Sequence, residues 1–219
     1  MDDTNKQTLV LCFDVTGRLK YLSHRETARM FERALVRAGV GLCYSMGFNP
    51  HPKISLPLAR TVGVASEGDL LCAEINSGLI DIEKISDDIS KQLPEGCRLV
   101  KLDVVNTKVS YRPTAAGYEF VVDSLDTNET IKHKLAELAD LCRAGGRITV
   151  SRWSDKKNKS VVIDVGKYIK DVEVKGDKVS VSVSITPEGT IRVNEILELA
   201  GVSIEDIGAG VTRRDVVFS

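Results

Sequence analysis

The chain has 219 residues and a formal net charge of −1 at pH 7, and 42 % of its residues are hydrophobic and 28 % charged. This composition argues against a largely disordered or collagen-like chain and predicts one large or two small globular domains. No apolar run reaches the roughly 20 residues that cross a bilayer, and residues 1–6 lack the pattern of a secretory signal. We therefore expect a cytoplasmic protein without membrane contact.

Residues 1–106 predict a strand, a helix, two strands, a second helix and a final strand. Ser23 and Glu26 have the spacing of a capping box, so a helix is expected to begin there and to continue to about residue 38. Regularly spaced isoleucines and leucines predict the second helix over 82–93. The predicted strands are 8–15, 42–46, 70–75 and 97–105, and a loop rich in glycine, proline and asparagine leads from the second of them to residues 53–58.

Residues 117–219 predict the same architecture, and residues 107–116 predict a linker between the two domains. Asp126 and Glu129 have capping-box spacing and predict the start of the third helix. The predicted strands are 118–123, 147–153, 160–164, 179–185 and 211–218, and a short helix is expected over 193–200. The order βαββαβ in each half predicts an α+β fold of two tandem ferredoxin-like units, with antiparallel sheets and helices on one face.

Charge is distributed unevenly along the chain. Residues 17–60 contain eight basic and two acidic residues, and residues 143–170 again contain eight basic and two acidic ones. Between them, residues 67–103 contain nine acidic and four basic residues. Such blocks can form an electropositive face on a protein of nearly neutral net charge, or the acidic block can fold back and neutralise the basic ones.

The most unusual stretch is the segment 44–53, YSMGFNPHPK. Pro50 and Pro52 restrict the backbone on either side of His51, and Phe48 is an aromatic residue among polar neighbours. A loop that presents a ring and several hydrogen-bond donors suits a nucleotide, because the ring stacks on a base while a cation meets phosphate. The predicted RNA contacts in this segment are Tyr44, Ser45, Phe48, Asn49, His51 and Lys53. The alternative is that Phe48 packs in the core and His51 has no role.

The first predicted helix has an arginine at every fourth position, and these residues form a slowly winding ribbon along one side. They are Arg25, Arg29, Arg33 and Arg37. Arg25 and Arg29 lie nearer the positive end of the helix, where phosphate is favoured, so we predict that they contact RNA phosphates. A solvated helix face is the alternative, and it is favoured for Arg33 and Arg37.

Two histidines, His24 at the first turn of the helix and His51, are the candidate catalytic residues, since either could act as a general base on a ribose hydroxyl. Near the C-terminus a short glycine-containing loop, 208–210, precedes Arg214, which is a further candidate for a phosphate contact. The three histidines and five cysteines are scattered without metal-ligand spacing. We therefore predict no metal, no cofactor and reduced, structural thiols.

A series of short motifs runs through residues 17–70. They are Gly17-Arg18-Leu19, Leu22-Ser23-His24, Arg33-Ala34, Arg37-Ala38-Gly39, Tyr44-Ser45 and the segment 47–53. In these motifs the chain resembles a bacterial radical-SAM-associated domain of unknown function. The resemblance implies a radical SAM protein as partner. This sequence lacks the CxxxCxxC motif that holds an iron–sulfur cluster, so the partner is expected to be a separate polypeptide.

A second resemblance concerns architecture. Two ferredoxin-like halves, a histidine near the first helix and a glycine-rich loop before the last strand are similar to the RAMP endonucleases that process CRISPR repeat RNA. Three functions follow as hypotheses. The leading one is a non-catalytic accessory protein that binds structured RNA, such as tRNA or rRNA, for a radical SAM partner. The alternatives are a metal-independent ribonuclease and a module that only binds the partner protein.

Overall fold

The structure is a computed structural model and describes residues 6–76, 78–123, 125, 127–154, 158–208 and 210–219. The fold is mixed α+β, with mostly antiparallel sheets and four α-helices among the described residues. The chain divides into two compact units between Pro113 and Thr114. Unit 1 ends at Pro113 and also contains Ser219, and unit 2 consists of Thr114–Phe218. Within the described part of the chain, no helix is long and apolar enough to span a bilayer.

Four strands and two α-helices lie in the described residues of unit 1. The strands are β1 (Lys6–Val15), β2 (Ile54–Ser55), β3 (Val64–Asn76) and β4 (Cys97–Val105), and the helices are α1 (His24–Arg37) and α2 (Ile82–Gln92). The strand order is β4-β1-β3-β2, and neighbouring strands are antiparallel. The helix α1 buries Phe31 and Leu35, and the Phe31 ring lies 4.4 Å from the ring of Phe13 in β1.

The capping box of α1 is confirmed. The Glu26 amide donates to the Ser23 hydroxyl, and the Ser23 amide donates to the Glu26 carboxylate over 2.8 Å. The helix α2 begins after Asp81, whose carboxylate accepts a hydrogen bond from the amide of Lys84. These caps satisfy amides that the first turn of a helix leaves without backbone partners, so the local sequence determines where both helices begin.

Six further strands and two α-helices are present in the part of unit 2 that the structure describes. The strands are β5 (Pro113–Val121), β6 (Thr149–Ser154), β7 (Lys159–Asp164), β8 (Ile169–Lys175), β9 (Lys178–Ser184) and β10 (Val211–Phe218), and the helices are α3 (Glu129–Arg143) and α4 (Val193–Ala200). Four strands form a sheet in the order β10-β5-β9-β8, while β6 and β7 form a separate two-stranded hairpin. Trp153 in β6 is 61 % exposed.

Several predicted boundaries differ from the structure. The segments 147–153 and 160–164 form the separate hairpin, and the sheet uses β8, which was not predicted. The edge strand β8 buries only Ile169 and Val172, so its hydrophobic pattern is weak. The strand β5 begins at Pro113, inside the predicted linker 107–116.

The predicted capping box of the third helix is also wrong in its position. Glu129 is the first residue of α3, and the cap is Asn128, whose side chain accepts from the amide of Ile131. The expected partner, Asp126, lies outside the described residues. The predicted strand 42–46 is reduced to isolated bridges, because the chain leaves the sheet edge in this segment.

Candidate functional site

The segment 43–53, called the Phe48 loop below, leaves the edge of the unit 1 sheet beside Glu74. The Cys43 amide donates to the Glu74 carbonyl over 2.8 Å, and the Glu74 amide donates to the Lys53 carbonyl over 2.9 Å. The Lys53 amide closes the base by donating to the Cys43 carbonyl over 2.9 Å. The two ends of the loop are therefore held together and tied to β3.

A second pair of hydrogen bonds crosses the loop above its base. The Ser45 amide donates to the His51 carbonyl over 2.8 Å, and the His51 amide donates to the Ser45 hydroxyl over 2.9 Å. Ser45 therefore stabilises the loop, and its hydroxyl accepts a bond within the loop. This role differs from the RNA contact that the sequence predicts for Ser45.

The tip of the Phe48 loop presents its apolar side chains to solvent. Phe48 has a relative exposure of 102 % and Met46 of 91 %, while Tyr44 is 46 % exposed. Asn49 and His51 are exposed beside them. The alternative that Phe48 packs in the core is therefore wrong, and the ring is open to a ligand.

The Lys53 side chain is engaged in an ion pair. Its Nζ lies 3.0 Å from Glu74 Oε2, and Lys108 Nζ lies 3.4 Å from the other carboxylate oxygen. Burial raises the pKa of Glu74, but the hydrogen bond and charge of Lys53 and the charge of Lys108 outweigh burial, so the pKa lies below its ordinary 4.5. Lys53 therefore fastens the loop to β3 as well as carrying a positive charge.

The predicted arginine ribbon is present on α1, where all four arginines are exposed. A groove of about 420 Å³, called the arginine groove below, runs beside three of them. It is lined by Leu22, Glu26, Arg29, Met30, Arg33, Arg37, Gln92 and Pro94. The Arg37 guanidinium donates to the Gln92 carbonyl, at the end of α2, over 3.2 Å.

The carboxylate that lines the arginine groove belongs to Glu26, and it accepts hydrogen bonds from Ser23. Glu26 accepts from the Ser23 hydroxyl over 2.7 Å and from the Ser23 amide. These hydrogen bonds lower the pKa of Glu26, and the charge of Arg29 lowers it further. Among the described residues, no carboxylate lies within ion-pair distance of Arg29 or Arg33. The groove thus has a surplus of positive charge.

The base of the Phe48 loop and the start of α1 lie near opposite ends of β3. The amide of Gly63, just before β3, donates to the carbonyl of Lys20, just before α1, over 2.9 Å. The loop base is tied to Glu74, and roughly 30 Å of strand separates Val64 from Glu74. Arg25 and His24 therefore lie far from the base of the segment that carries His51 and Lys53.

Arg60, one of the eight basic residues in the block 17–60, does not lie on the surface. Its guanidinium is buried and donates to the carbonyls of Lys20 and Val64 over 2.6 and 2.7 Å. It also donates to the carbonyls of Leu19 and Leu22. Arg60 thus fixes the segment before α1 against the start of β3. Sequence reasoning missed this role, because bonds from a guanidinium to backbone carbonyls leave no characteristic pattern of side chains in the sequence.

In unit 2, Arg214 pairs with a carboxylate of its own unit. Its guanidinium lies 3.2 Å from Glu119, which also contacts Lys178 Nζ over 2.6 Å. In the glycine-containing loop before β10, the Gly208 amide donates to the Asp123 carboxylate over 2.9 Å, and Ala209 lies outside the described residues. The Gly208 amide is therefore bonded to a carboxylate of this chain, so it is not free to donate to a phosphate.

The five cysteines are free thiols. Burial raises the pKa of Cys72 to about 11, and burial together with the charge of Asp14 raises the pKa of Cys97 to about 12. Burial also raises the pKa of Cys12 and Cys142. These thiols are protonated at neutral pH and poorly nucleophilic. In the part of the chain that the structure describes, no three His, Cys, Asp or Glu side chains form a metal-binding group.

The sequence profile of a bacterial family, "Uncharacterized protein conserved in bacteria (DUF2344)", matches residues 9–195. The chain belongs to this family. The match confirms that the chain belongs to a conserved bacterial family of unknown function, and it does not test the predicted association with a radical SAM protein. No curated protein sequence matches the chain.

Two solved structures are similar to this family member over most of its length. One is an unknown protein from Galdieria sulphuraria, with 12 % identity, coverage of 98 % of this chain and 99 % of that chain, and a TM-score of 0.25. The other is the regulatory subunit of aspartate kinase from Thermus flavus, with 12 % identity, coverage of 90 % and 89 %, and a TM-score of 0.23.

Proposed function

We propose that this chain is a non-catalytic accessory protein that binds structured RNA, such as tRNA or rRNA, and acts with a radical SAM protein. The observation that carries the proposal is the full exposure of Phe48 on a loop whose two ends are hydrogen-bonded to the sheet. A water-exposed aromatic ring has no packing role in the isolated fold. Held on a fixed base, it can stack on an unpaired nucleobase at a low cost in conformational entropy.

Polar groups beside the ring support recognition of a base. Asn49 and His51 are exposed next to Phe48, and Tyr44 presents a second, partly exposed ring. An amide and an imidazole can both donate and accept hydrogen bonds at the edges of a base. We therefore assign the base contact to the tip of the Phe48 loop.

Phosphate contacts are assigned to Arg25 and Arg29 on α1. Because roughly 30 Å of strand separates the start of α1 from the loop base, one RNA must extend over a comparable length to reach both. A folded RNA stem meets this requirement, whereas a mononucleotide does not. The separation therefore favours an RNA several nucleotides long, such as a folded stem, over a mononucleotide.

The Phe48→Ala variant tests the proposal. We expect it to weaken binding of total tRNA or rRNA fragments by more than about tenfold, because stacking contributes about 1–3 kcal/mol per base. Affinity is measured by filter binding at about 50 mM salt, and it should fall steeply as salt increases. Leu79→Ala is the matched control, since Leu79 is also fully exposed in unit 1. Absence of RNA affinity in the parent protein overturns the proposal.

A pure protein-interaction module is the second candidate, favoured by the exposure of Met46 beside Phe48. Exposed methionine and phenylalanine side chains suit an apolar pocket on a partner protein. Nuclease treatment before co-purification distinguishes the two functions, because a direct protein contact through Phe48 survives removal of RNA.

We also infer that both units follow the ferredoxin-like plan. The strand order β4-β1-β3-β2 in unit 1 matches β10-β5-β9-β8 in unit 2 when β5, β8, β9 and β10 are taken as the four strands. The helices α3 and α4 then occupy the places of α1 and α2 in chain order. The hairpin β6-β7 is an insertion after α3 in this comparison.

A further inference from the structure

The arginine groove combines positive charge with an apolar floor. Arg29, Arg33 and Arg37 follow one another at every fourth residue of α1, and Leu22 and Met30 line the same groove. Like charges at this spacing repel one another. Since Arg29 and Arg33 have no carboxylate within ion-pair distance among the described residues, an external anion would relieve this repulsion.

The chemistry of the floor distinguishes between classes of anion. Leu22 and Met30 are only half-buried, and Pro94 is exposed at the edge of the groove. A phosphate backbone would neutralise the guanidinium groups but would leave these apolar side chains in contact with water. A peptide that carries both carboxylates and apolar side chains satisfies both parts of the groove.

The spacing of the charges fits a helix in particular. Residues four apart in an α-helix rise by about 6 Å along its axis. Glutamates at every fourth position of a second helix have the same rise. When that helix crosses α1 at about 50°, the two rows lie parallel and one carboxylate lies beside each of the three arginines. Ridges formed by residues four apart are also the commonest surfaces by which helices pack.

We propose that the arginine groove is a docking site for an acidic amphipathic helix of a protein partner. Carboxylates of that helix pair with Arg29, Arg33 and Arg37, and its apolar side chains cover Leu22 and Met30. The Arg37 guanidinium already donates to the Gln92 carbonyl, which holds it at the end of the groove. The groove contains no residue of the Phe48 loop, but it shares Arg29 with the phosphate contact proposed above. Binding of the helix does not require RNA, and RNA and helix compete at Arg29.

The probe for this site is a fluorescein-labelled peptide of about 20 residues, long enough to form helix in water. It carries glutamates at every fourth position and leucines beside them on the same face. A control peptide has the same composition with its leucines on the opposite face. We expect the full-length protein to bind the first peptide about tenfold more tightly than the second, as measured by fluorescence anisotropy.

The double variant Arg33→Glu, Arg37→Glu is expected to weaken binding of the first peptide by at least about tenfold, because it replaces attraction by repulsion. The matched control is Arg147→Glu with Lys159→Glu, which changes the net charge equally at exposed positions of unit 2. Circular dichroism verifies that each variant is folded.

Three results overturn the docking site. They are equal affinity for the two peptides, unchanged affinity of the Arg33→Glu, Arg37→Glu variant, and complete displacement of the peptide by tRNA together with loss of peptide binding in Phe48→Ala. Retention of peptide binding by Phe48→Ala supports the site. It does so whether or not that variant still binds RNA, so this inference and the proposed function fail separately.

Discussion

At the scale of single residues, the ion pair between Lys53 and Glu74 limits what the Phe48 loop offers to a ligand. A lysine that neutralises a nearby carboxylate contributes less net charge to phosphate binding than a free lysine. The same pair fastens the loop to β3, and Glu74 also forms an ion pair with Lys108. If the proposed function is correct, the Phe48 ring contributes more to recognition than the charge of Lys53.

The Glu74 carboxylate predicts a pH-dependent contribution to stability. Its pKa in the folded protein lies below the ordinary 4.5, so its contribution is complete above about pH 4.5 and is lost as the pH falls through the folded value. We expect Glu74→Gln to lower the free energy of unfolding by about 1 kcal/mol at pH 7. Urea unfolding followed by circular dichroism should show that the difference from the parent shrinks towards pH 3.

Glu95→Gln is the control for this pH effect. Glu95 is exposed and forms no ion pair among the described residues. Its substitution should leave the unfolding free energy within about 0.5 kcal/mol of the parent at both pH values. A destabilisation by Glu74→Gln that is the same at pH 7 and pH 3 would contradict the assigned charge interaction.

At the scale of elements, the hairpin β6-β7 is joined to α4 by an ion pair between a partly buried arginine and a buried glutamate. The Arg152 guanidinium in β6 donates to both carboxylate oxygens of Glu195 in α4 over 2.6 and 2.7 Å, and it also donates to the Thr190 carbonyl. Burial raises the pKa of Glu195, but hydrogen bonds from Arg152 and the Arg192 amide lower it below its ordinary value. Both side chains are therefore charged and paired at neutral pH.

Removal of one partner of this pair should be costly. We expect Arg152→Met to lower the free energy of unfolding by about 3 kcal/mol, because it leaves the Glu195 carboxylate buried without its cation. The double variant Arg152→Met, Glu195→Leu should recover most of the loss. Urea unfolding measured by circular dichroism provides both values.

Arg147→Met serves as the comparison for the buried pair, since Arg147 is exposed and has no ion pair in the described part of the chain. A double variant no more stable than Arg152→Met would show that the unpaired carboxylate is not the cause of the loss.

Helix positions in unit 1 were readable from local sequence, because the capping box of Ser23 and Glu26 satisfies amides within one turn. The strands of unit 2 were less predictable. The hairpin segments have the alternating pattern of a sheet strand, while β8 carries charged residues between its few buried ones. Which strand joins the sheet depends on packing against distant residues, and the local pattern does not contain that information.

At the scale of the molecule, the two candidate catalytic histidines are carried by distant parts of unit 1. His24 begins α1 near the start of β3, and His51 lies in the loop that is tied to Glu74. We therefore expect no cleavage of labelled tRNA in the presence of EDTA, because neither histidine has the other as an acid–base partner. Products that form in EDTA and disappear in His24→Ala or His51→Ala would establish a ribonuclease instead.

The exposed loop was predictable from the sequence, but its position relative to α1 was not. The prolines and the isolated aromatic in segment 44–53 indicated a presenting loop, and Phe48 is exposed there. Sequence spacing did not reveal the distance between this loop and Arg25, since the distance depends on which ends of β3 the loop base and the segment before α1 contact. The pairing of Arg214 with Glu119 likewise joins residues from two strands.

The exposure of Trp153 determines how the folding of this molecule can be followed. The chain has one tryptophan, and its indole is 61 % exposed in the folded hairpin. An indole already surrounded by water undergoes little change of environment when the polypeptide denatures. Intrinsic fluorescence will thus be a weak reporter of unfolding, whereas quenching of this emission by an added ligand would place that ligand at the hairpin.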